Sequence, residues 1–182
     1  MQVSAKSINN TVTILRNGGI VFMPTDTVCG LIVKADEQEA VKRVQILKGR
    51  DFRPGTFLFA DEQQLIDFGF SPNDIQLASQ FWPGPVSVVM PYSGPYLDGA
   101  YASFAVRIPA DEWLRGVLSK TGPLATTSAN ITGEPTIYTV AEARKQFGSS
   151  VDYYYPVNGI KPAHASKIVK INPDGTFDVL RA

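Results

Sequence analysis

The chain has 182 residues, 44% apolar and 19% charged, with 17 basic side chains balanced by 17 acidic ones. That length fits one domain over residues 1–182, burying roughly 70% of the surface its unfolded form exposes, and the composition excludes a disordered or fibrous chain. Zero net charge gives no overall pull toward a polyanion, and the single cysteine, Cys29, excludes an internal disulfide and a cysteine-based zinc site.

Taken in chain order, Ile8, Val12 and Leu15 recur at helical spacing before Gly18-Gly19, which predicts an opening helix with a glycine stop. A short buried strand over residues 20–23 runs into Pro24, and a second strand follows over 30–33. A helix is expected over 37–48 with Ala40, Val41, Val44 and Leu47 on one face and Lys48 in its last turn, where a cation suits the helix dipole. Residues 56–60 read as a strand. Ser71-Pro72-Asn73-Asp74 carries a cap residue, a proline at the first helical position and an acid three residues after the cap, so it opens a helix that ends near Trp82-Pro83.

Strands are expected over 86–90, 102–108 and 124–127, with a helix around residues 113–118 between the last two. Thr139-Val140-Ala141-Glu142 has the form of a capping box, opening a helix that stops at Gly148. Residues 151–157, 167–171 and 177–180 read as strands, the last two joined by the turn Asn172-Pro173-Asp174-Gly175. Strands and helices mix without strict alternation. The expected fold is therefore a single α/β domain: an open, twisted, mixed parallel and antiparallel sheet flanked by helices.

No apolar stretch follows Lys6, so no signal peptide is expected. Residues 75–97 lack charge, yet Gln76, Gln80, Ser87 and prolines at 83, 85, 91 and 95 argue against a membrane span. A cytoplasmic protein is the expectation, with no membrane partner.

Charge is distributed unevenly. Residues 42–53 hold Lys42, Arg43, Lys48, Arg50 and Arg53 against Asp51, whereas residues 61–74 hold Asp61, Glu62, Asp67 and Asp74 and no base. Such segregation makes a local field that attracts an anion, although a solvated helix face also explains an isolated basic run. The single histidine, His164, lies in a Pro-Ala-His-Ala-Ser stretch with no G-x-S-x-G elbow, which leaves a serine hydrolase triad unsupported and excludes a histidine-clustered metal site. Cys29, between Val28 and Gly30, reads as a packed thiol rather than a nucleophile.

Neither G-x-x-x-x-G-K-[ST] nor G-x-G-x-x-G occurs, so a phosphate site here must be built from side chains. Lys48, Arg50, Arg53, Arg107 and Arg181 supply the cations, and Thr27, Ser128 and Asn130 the orienting donors. Read alone, Pro24-Thr25-Asp26-Thr27 is also a turn in which Asp26 bonds its own backbone, and Ser128-Ala129-Asn130 a strand-exit turn. Trp82-Pro83-Gly84-Pro85 reads as an aromatic anchor with a chain reversal.

Together and in this order, Pro24-Thr25-Asp26-Thr27-Val28-Cys29-Gly30, Lys48-Gly49-Arg50, Phe81-Trp82-Pro83-Gly84-Pro85, Ala105-Val106-Arg107-Ile108-Pro109, Thr126-Thr127-Ser128-Ala129-Asn130-Ile131-Thr132-Gly133 and Val179-Leu180-Arg181 resemble the YrdC-like family, the threonylcarbamoyl-AMP synthases also called TsaC. The resemblance covers nearly the whole chain and implies the short, single-domain form with a concave basic face. It implies an enzyme, a nucleotidyltransferase, that condenses L-threonine, bicarbonate or carbon dioxide and ATP, with Mg2+ carried on the ATP, into threonylcarbamoyl-AMP and pyrophosphate. That product feeds N6-threonylcarbamoylation of adenosine 37 in tRNA, which implies threonylcarbamoyl-transferase proteins as partners and tRNA or double-stranded RNA as a further one.

By position, the resemblance places Lys48 and Arg50 at the phosphates and the carbamate or carboxylate, and Thr27, Arg107 and Ser166 on the threonine side. Ser128, Asn130, Arg53, Tyr138 and Arg181 fall on the nucleotide. Asp51 stands where relatives usually carry a proline, Ser166-Lys167 replaces the usual Ser-Thr, and the chain ends Arg181-Ala182. An alternative from another class is a non-catalytic RNA-binding module using the same basic concavity, whose binding weakens steeply with salt.

Overall fold

Ser7, Thr11, Val12 and Leu15 share the buried face of the first helix, α1 (Ala5–Arg16), and Ser4 caps it by accepting from Ser7 N at 3.2 Å. Gly18 stops the helix with φ of +74°, a conformation a side chain resists, while Gly19 N closes on Ile14 O at 2.9 Å. This computed structural model describes residues 4–49, 55–96, 101–156 and 164–182.

The other elements follow as β1 (Val21–Met23), β2 (Gly30–Lys34), α2 (Gln38–Leu47), β3 (Thr56–Leu58), α3 (Glu62–Phe68) and α4 (Pro72–Ala78). Next come β4 (Val86–Pro91), β5 (Ser103–Arg107), α5 (Glu112–Thr121), β6 (Leu124–Ser128), α6 (Val140–Phe147), β7 (Tyr153–Tyr154), β8 (Lys167–Ile171) and β9 (Phe177–Arg181). The strands form one sheet in the order β7-β1-β2-β6-β3-β5-β4-β8-β9. β1–β7, β3–β5 and β4–β8 are parallel and the other neighbours antiparallel, so the sheet is mixed as expected.

Several local expectations needed correction. Helix α3 was not anticipated: it buries only Leu65, so it has no apolar stripe to read, and it depends on Asp61, which accepts from Gln64 N at 2.9 Å. Ser71 sits at the cap position of α4, but its side chain makes no capping bond. Thr139 does cap α6 through Glu142 N at 3.2 Å. Of the strand expected over 151–157, whose last residue lies outside the described ones, the described residues pair only at Tyr153 and Tyr154, against Val21 and Phe22. The hairpin of β8 and β9 turns as expected at residues 172–175, with Gly175 N on Asn172 O at 2.9 Å.

At the centre of the sheet the register sets Thr56 between Ala105 and Thr126, and Phe57 between Val106 and Ala125. Because strand side chains alternate, one face carries Thr56, Arg107, Thr126 and Ser128 and the other buries Phe57 and Val106. Phe57 stacks on Phe104 at 4.9 Å and meets Tyr96 edge-on at 5.4 Å, in an aromatic cluster that includes Phe68 and Tyr92. Each such pair contributes about 1 kcal/mol beyond area burial. No helix among the described residues is long and apolar enough to cross a membrane.

Candidate active site

The hydroxyl-bearing face of the sheet opens into a cleft of about 380 Å³. Thr27, Arg107, Ser128, Ser166 and Arg181 line it together with Thr25, Val28, Gly55, Thr56, Ala105, Thr126, Thr127, Thr136, Ala165 and Ile168. Five of the residues singled out from sequence thus meet in one cavity, although they span positions 27 to 181.

The turn before β2 is held by Thr25. Its Oγ1 donates to Val28 O at 2.8 Å and accepts from Thr27 N at 3.1 Å. Because that proton is committed, the 3.0 Å contact between the two hydroxyls has Thr27 donating, which leaves its oxygen as an acceptor at the cleft. The side chain of Asp26 leaves the turn: Oδ2 accepts from Ala110 N at 3.1 Å, and Oδ1 lies 3.0 Å from Arg107 Nη2. That approach is an ion pair without hydrogen-bond alignment, since Asp26 Oδ1 and Arg107 Nε both lack a hydrogen-bond partner. Burial pushes the Asp26 carboxyl above its ordinary range, against the pull of Arg107 and the bond from Ala110. Burial likewise lowers Arg107, opposed by Asp26 and assisted by the charge of Arg181. Two guanidinium groups sensing each other at one cleft favour an anion between them.

On the far edge, the β8–β9 register shifts between Ile168 and Val169, so that Arg181 rather than Leu180 pairs with the cleft-lining Ile168. Bulges of this kind re-aim side chains next to sites. Arg181 then grips Ser166 O through Nε at 2.9 Å and Nη2 at 2.7 Å, and Nη2 reaches Ser166 Oγ at 3.1 Å.

Lys48 departs from the picture of an open basic wall. It caps the C-terminus of α2 with only 2% of its surface exposed, and its ammonium donates to Ser128 O at 2.8 Å and to Asn130 Oδ1. Ser128 Oγ also donates to Asn130 Oδ1, at 2.7 Å, and Asn130 Nδ2 donates to Glu134 O. The segment is fixed further by Ala129 N on Cys29 O and Ile137 N on Ala129 O, both 2.8 Å. Lys48 therefore braces the Ser-Ala-Asn turn from beneath the cleft. Tyr138 is half-buried against the core and does not line the cavity, and Arg50, Arg53 and Asp51 lie outside the described residues.

Sequence reasoning gave no role to Thr56, Thr126, Thr127 or Thr136, nor to Asp26 as the partner of Arg107. The available signal was the run of threonines at 126–127 in an otherwise apolar strand and the alternation of Thr56 with Phe57. Cys29 is fully buried, with its thiol pushed up to about 12, in keeping with a packed role, and His164 is exposed in its loop. Trp82 Nε1 donates to Val86 O at 2.8 Å, an anchor as expected.

A family model described as telomere recombination, the Sua5, YciO and YrdC group, matches residues 13–182. The chain belongs to this family. A Nitrosococcus oceani protein named threonylcarbamoyl-AMP synthase is 36% identical over 163 residues, covering 85% of this chain and 88% of that protein. A doubly alanine-substituted Sua5 from P. abyssi superposes with a TM-score of 0.86 at 27% identity, over 99% of this chain and 57% of that one. P. abyssi Sua5 complexed with L-threonine gives 0.77 at 28% identity, over 93% and 52%. The chain thus spans little more than half of the P. abyssi protein.

Proposed function

We propose that this Sua5/YciO/YrdC-family protein is an L-threonylcarbamoyladenylate synthase, using L-threonine, bicarbonate or carbon dioxide, and ATP brought in as its magnesium complex. The observation that carries the reading is the cleft where a buried arginine, a second arginine and a floor of hydroxyls converge, in a chain 36% identical to a protein of that name. Threonine's amine forms a carbamate without a protein nucleophile, releasing water when bicarbonate is the carbon source. A carbamate oxygen then attacks the α-phosphorus, the bond to the β-phosphate oxygen breaks, and pyrophosphate leaves. Such a displacement is accelerated mainly by alignment and by neutralising phosphate charge, so a chain with one exposed histidine and a buried, protonated cysteine lacks nothing it needs.

Thr27, Arg107 and Ser166 take the amino acid in this reading, the acceptor oxygen of Thr27 suiting its amine and the guanidinium of Arg107 its carboxylate. Ser128, Asn130, Arg53 and Arg181 take the nucleotide, with Tyr138 flanking it from outside the cleft, and Arg50 and Lys48 neutralise the phosphates, Lys48 from beneath Ser128. The product passes to threonylcarbamoyl-transferase proteins acting on adenosine 37 of tRNA in the cytoplasm. Pyrophosphate release measured with single omissions tests the reaction. Release must require ATP, threonine and bicarbonate together; release indifferent to threonine contradicts it, and salt-sensitive RNA binding without turnover supports the binding-module alternative.

A further inference from the structure

Most of the hydroxyls that line the cleft are engaged. Thr25 and Thr27 share a 3.0 Å contact, Thr56 lies 3.3 Å from Ser87 Oγ, Ser128 donates to Asn130 Oδ1, and Ser166 lies 2.9 Å from Ser87 Oγ and accepts from Arg181. Thr126 and Thr136 stand apart. Both line the cleft, and neither hydroxyl has a hydrogen-bond partner among the described residues. The proton and lone pairs of each are therefore open to a ligand, whichever way the other bonds run.

Of the two, Thr126 is the one held rigidly. It sits in β6 at the middle of the sheet, paired with Ile32 on one side and Thr56 on the other, whereas Thr136 lies in the loop before α6. A strand holds a binding group more precisely than a loop does. Two glycines clear the space around it: a Cβ on Gly30 would lie 2.6 Å from Thr126 Oγ1, and one on Gly55 would lie 1.9 Å from Thr126 O. Neither glycine has a positive φ, so room rather than backbone freedom is what they provide. A strand glycine marks such a close approach, and Gly30 admits the hydroxyl of Thr126 in its present rotamer.

The place of Thr126 assigns its ligand. Ser128, on the nucleotide side, is two residues further along β6, about 7 Å away. Thr56, across the ladder, is followed two residues on by Leu58, the partner of Arg107 on the amino-acid side. Thr126 thus stands on the floor between the two, where the amine of threonine meets its carbon source and the carbamate meets the α-phosphate. A carbamate has two oxygens, one that attacks phosphorus and one that needs a donor. A neutral hydroxyl suits the second, because a cation there would also draw charge from the first. We propose that Thr126 binds the third substrate, its hydroxyl donating to an oxygen of bicarbonate and then to the carbamate oxygen that does not attack. The inference rests on the synthase reading above and deepens it, since that reading names no residue for the carbon source.

Thr126→Val keeps the branched shape and removes the hydroxyl, while Thr126→Ser keeps the hydroxyl. Turnover is measured in buffers purged of carbon dioxide, with added bicarbonate varied at fixed pH. KM for bicarbonate should rise about tenfold in Thr126→Val, the size of one hydrogen bond to a charged group, and stay within about 2-fold of wild type in Thr126→Ser. KM for ATP, threonine affinity titrated calorimetrically without bicarbonate, and thermal stability should all be kept in Thr126→Val, because the lost hydroxyl has no partner in the protein. An unchanged KM for bicarbonate in Thr126→Val, a Thr126→Ser as impaired as Thr126→Val, equal losses for all three substrates, or a fall in stability overturns the proposal and leaves the synthase reading standing. Wild-type turnover that does not depend on bicarbonate overturns both.

Discussion

The carboxylate of Asp26 lies 3.0 Å from the guanidinium of Arg107, and the two side chains keep only 6% and 3% of their surface exposed. One edge of the guanidinium is thereby held by the turn before β2, and Arg107 Nε remains without a partner in a residue that lines the cleft. The consequence is a cation fixed in orientation before any ligand arrives. Arg107→Lys keeps the charge and loses the planar fork, so KM for threonine should rise at least about tenfold with ATP binding little changed. Steady-state kinetics on each substrate checks it, and an unchanged threonine KM contradicts the assignment.

Asp26 also sets a pH dependence. Its carboxyl lies above the ordinary value of 3.8, with burial the largest cause, so it holds its proton more tightly folded than unfolded. The stability this contributes is complete below the unfolded value and is lost as pH rises through the raised one. The stability of wild type relative to Asp26→Asn, which cannot titrate, should therefore fall as pH rises from about 4 and then level off. Denaturant titrations of both proteins across that range decide it: a difference that grows with pH would mean that attraction to Arg107 outweighs burial.

Lys48 is a brace as well as a charge. Lys48→Ala takes one donor each from the Ser128 carbonyl and Asn130 Oδ1, which keep Asn130 N and Ser128 Oγ, and empties a side-chain position that is only 2% exposed, so it should remove most turnover and also cost about 2 kcal/mol of stability. Denaturant unfolding alongside turnover checks both. Lost turnover with stability unchanged would mean that the ammonium acts on substrate alone.

Gly55 and Gly116 give opposite expectations for the same substitution. A Cβ on Gly55 would sit 1.9 Å from Thr126 O in the cleft floor, whereas one on Gly116, within α5, meets nothing within 4 Å. Gly55→Ala should cost about 3 kcal/mol and weaken both substrates, while Gly116→Ala should stabilise by about 1 kcal/mol. Paired thermal unfolding curves report the two signs.

Much of the fold was legible because it rests on local pattern. The buried stripe of α1, the glycine stop at residue 18 and the turn at residues 172–175 are contacts between near neighbours. Helix α3 escaped because one buried residue makes no periodicity, and acidic residues 61, 62 and 67 read as a charge run although Asp61 is its cap. The cleft was legible only through the order of its motifs. What those motifs do to one another was not: the burial of Lys48 depends on a turn 80 positions away, Asp26 is claimed by Arg107 across the fold, and Ser87 looks like any strand serine until β8 is laid beside it. Hydrogen-bond direction and desolvation are properties of assembled neighbours, and a linear pattern does not carry them.

The adenylate itself provides the most direct test. Wild-type protein is incubated with ATP, magnesium, L-threonine and carbon-13 bicarbonate, and the nucleotide products are resolved by mass spectrometry. Synthesis of threonylcarbamoyl-AMP predicts one new adenylate that contains threonine and carries the labelled carbon, formed in step with pyrophosphate and absent when threonine is omitted. Pyrophosphate released without a labelled adenylate, or an adenylate that contains threonine but no carbon from bicarbonate, would contradict it.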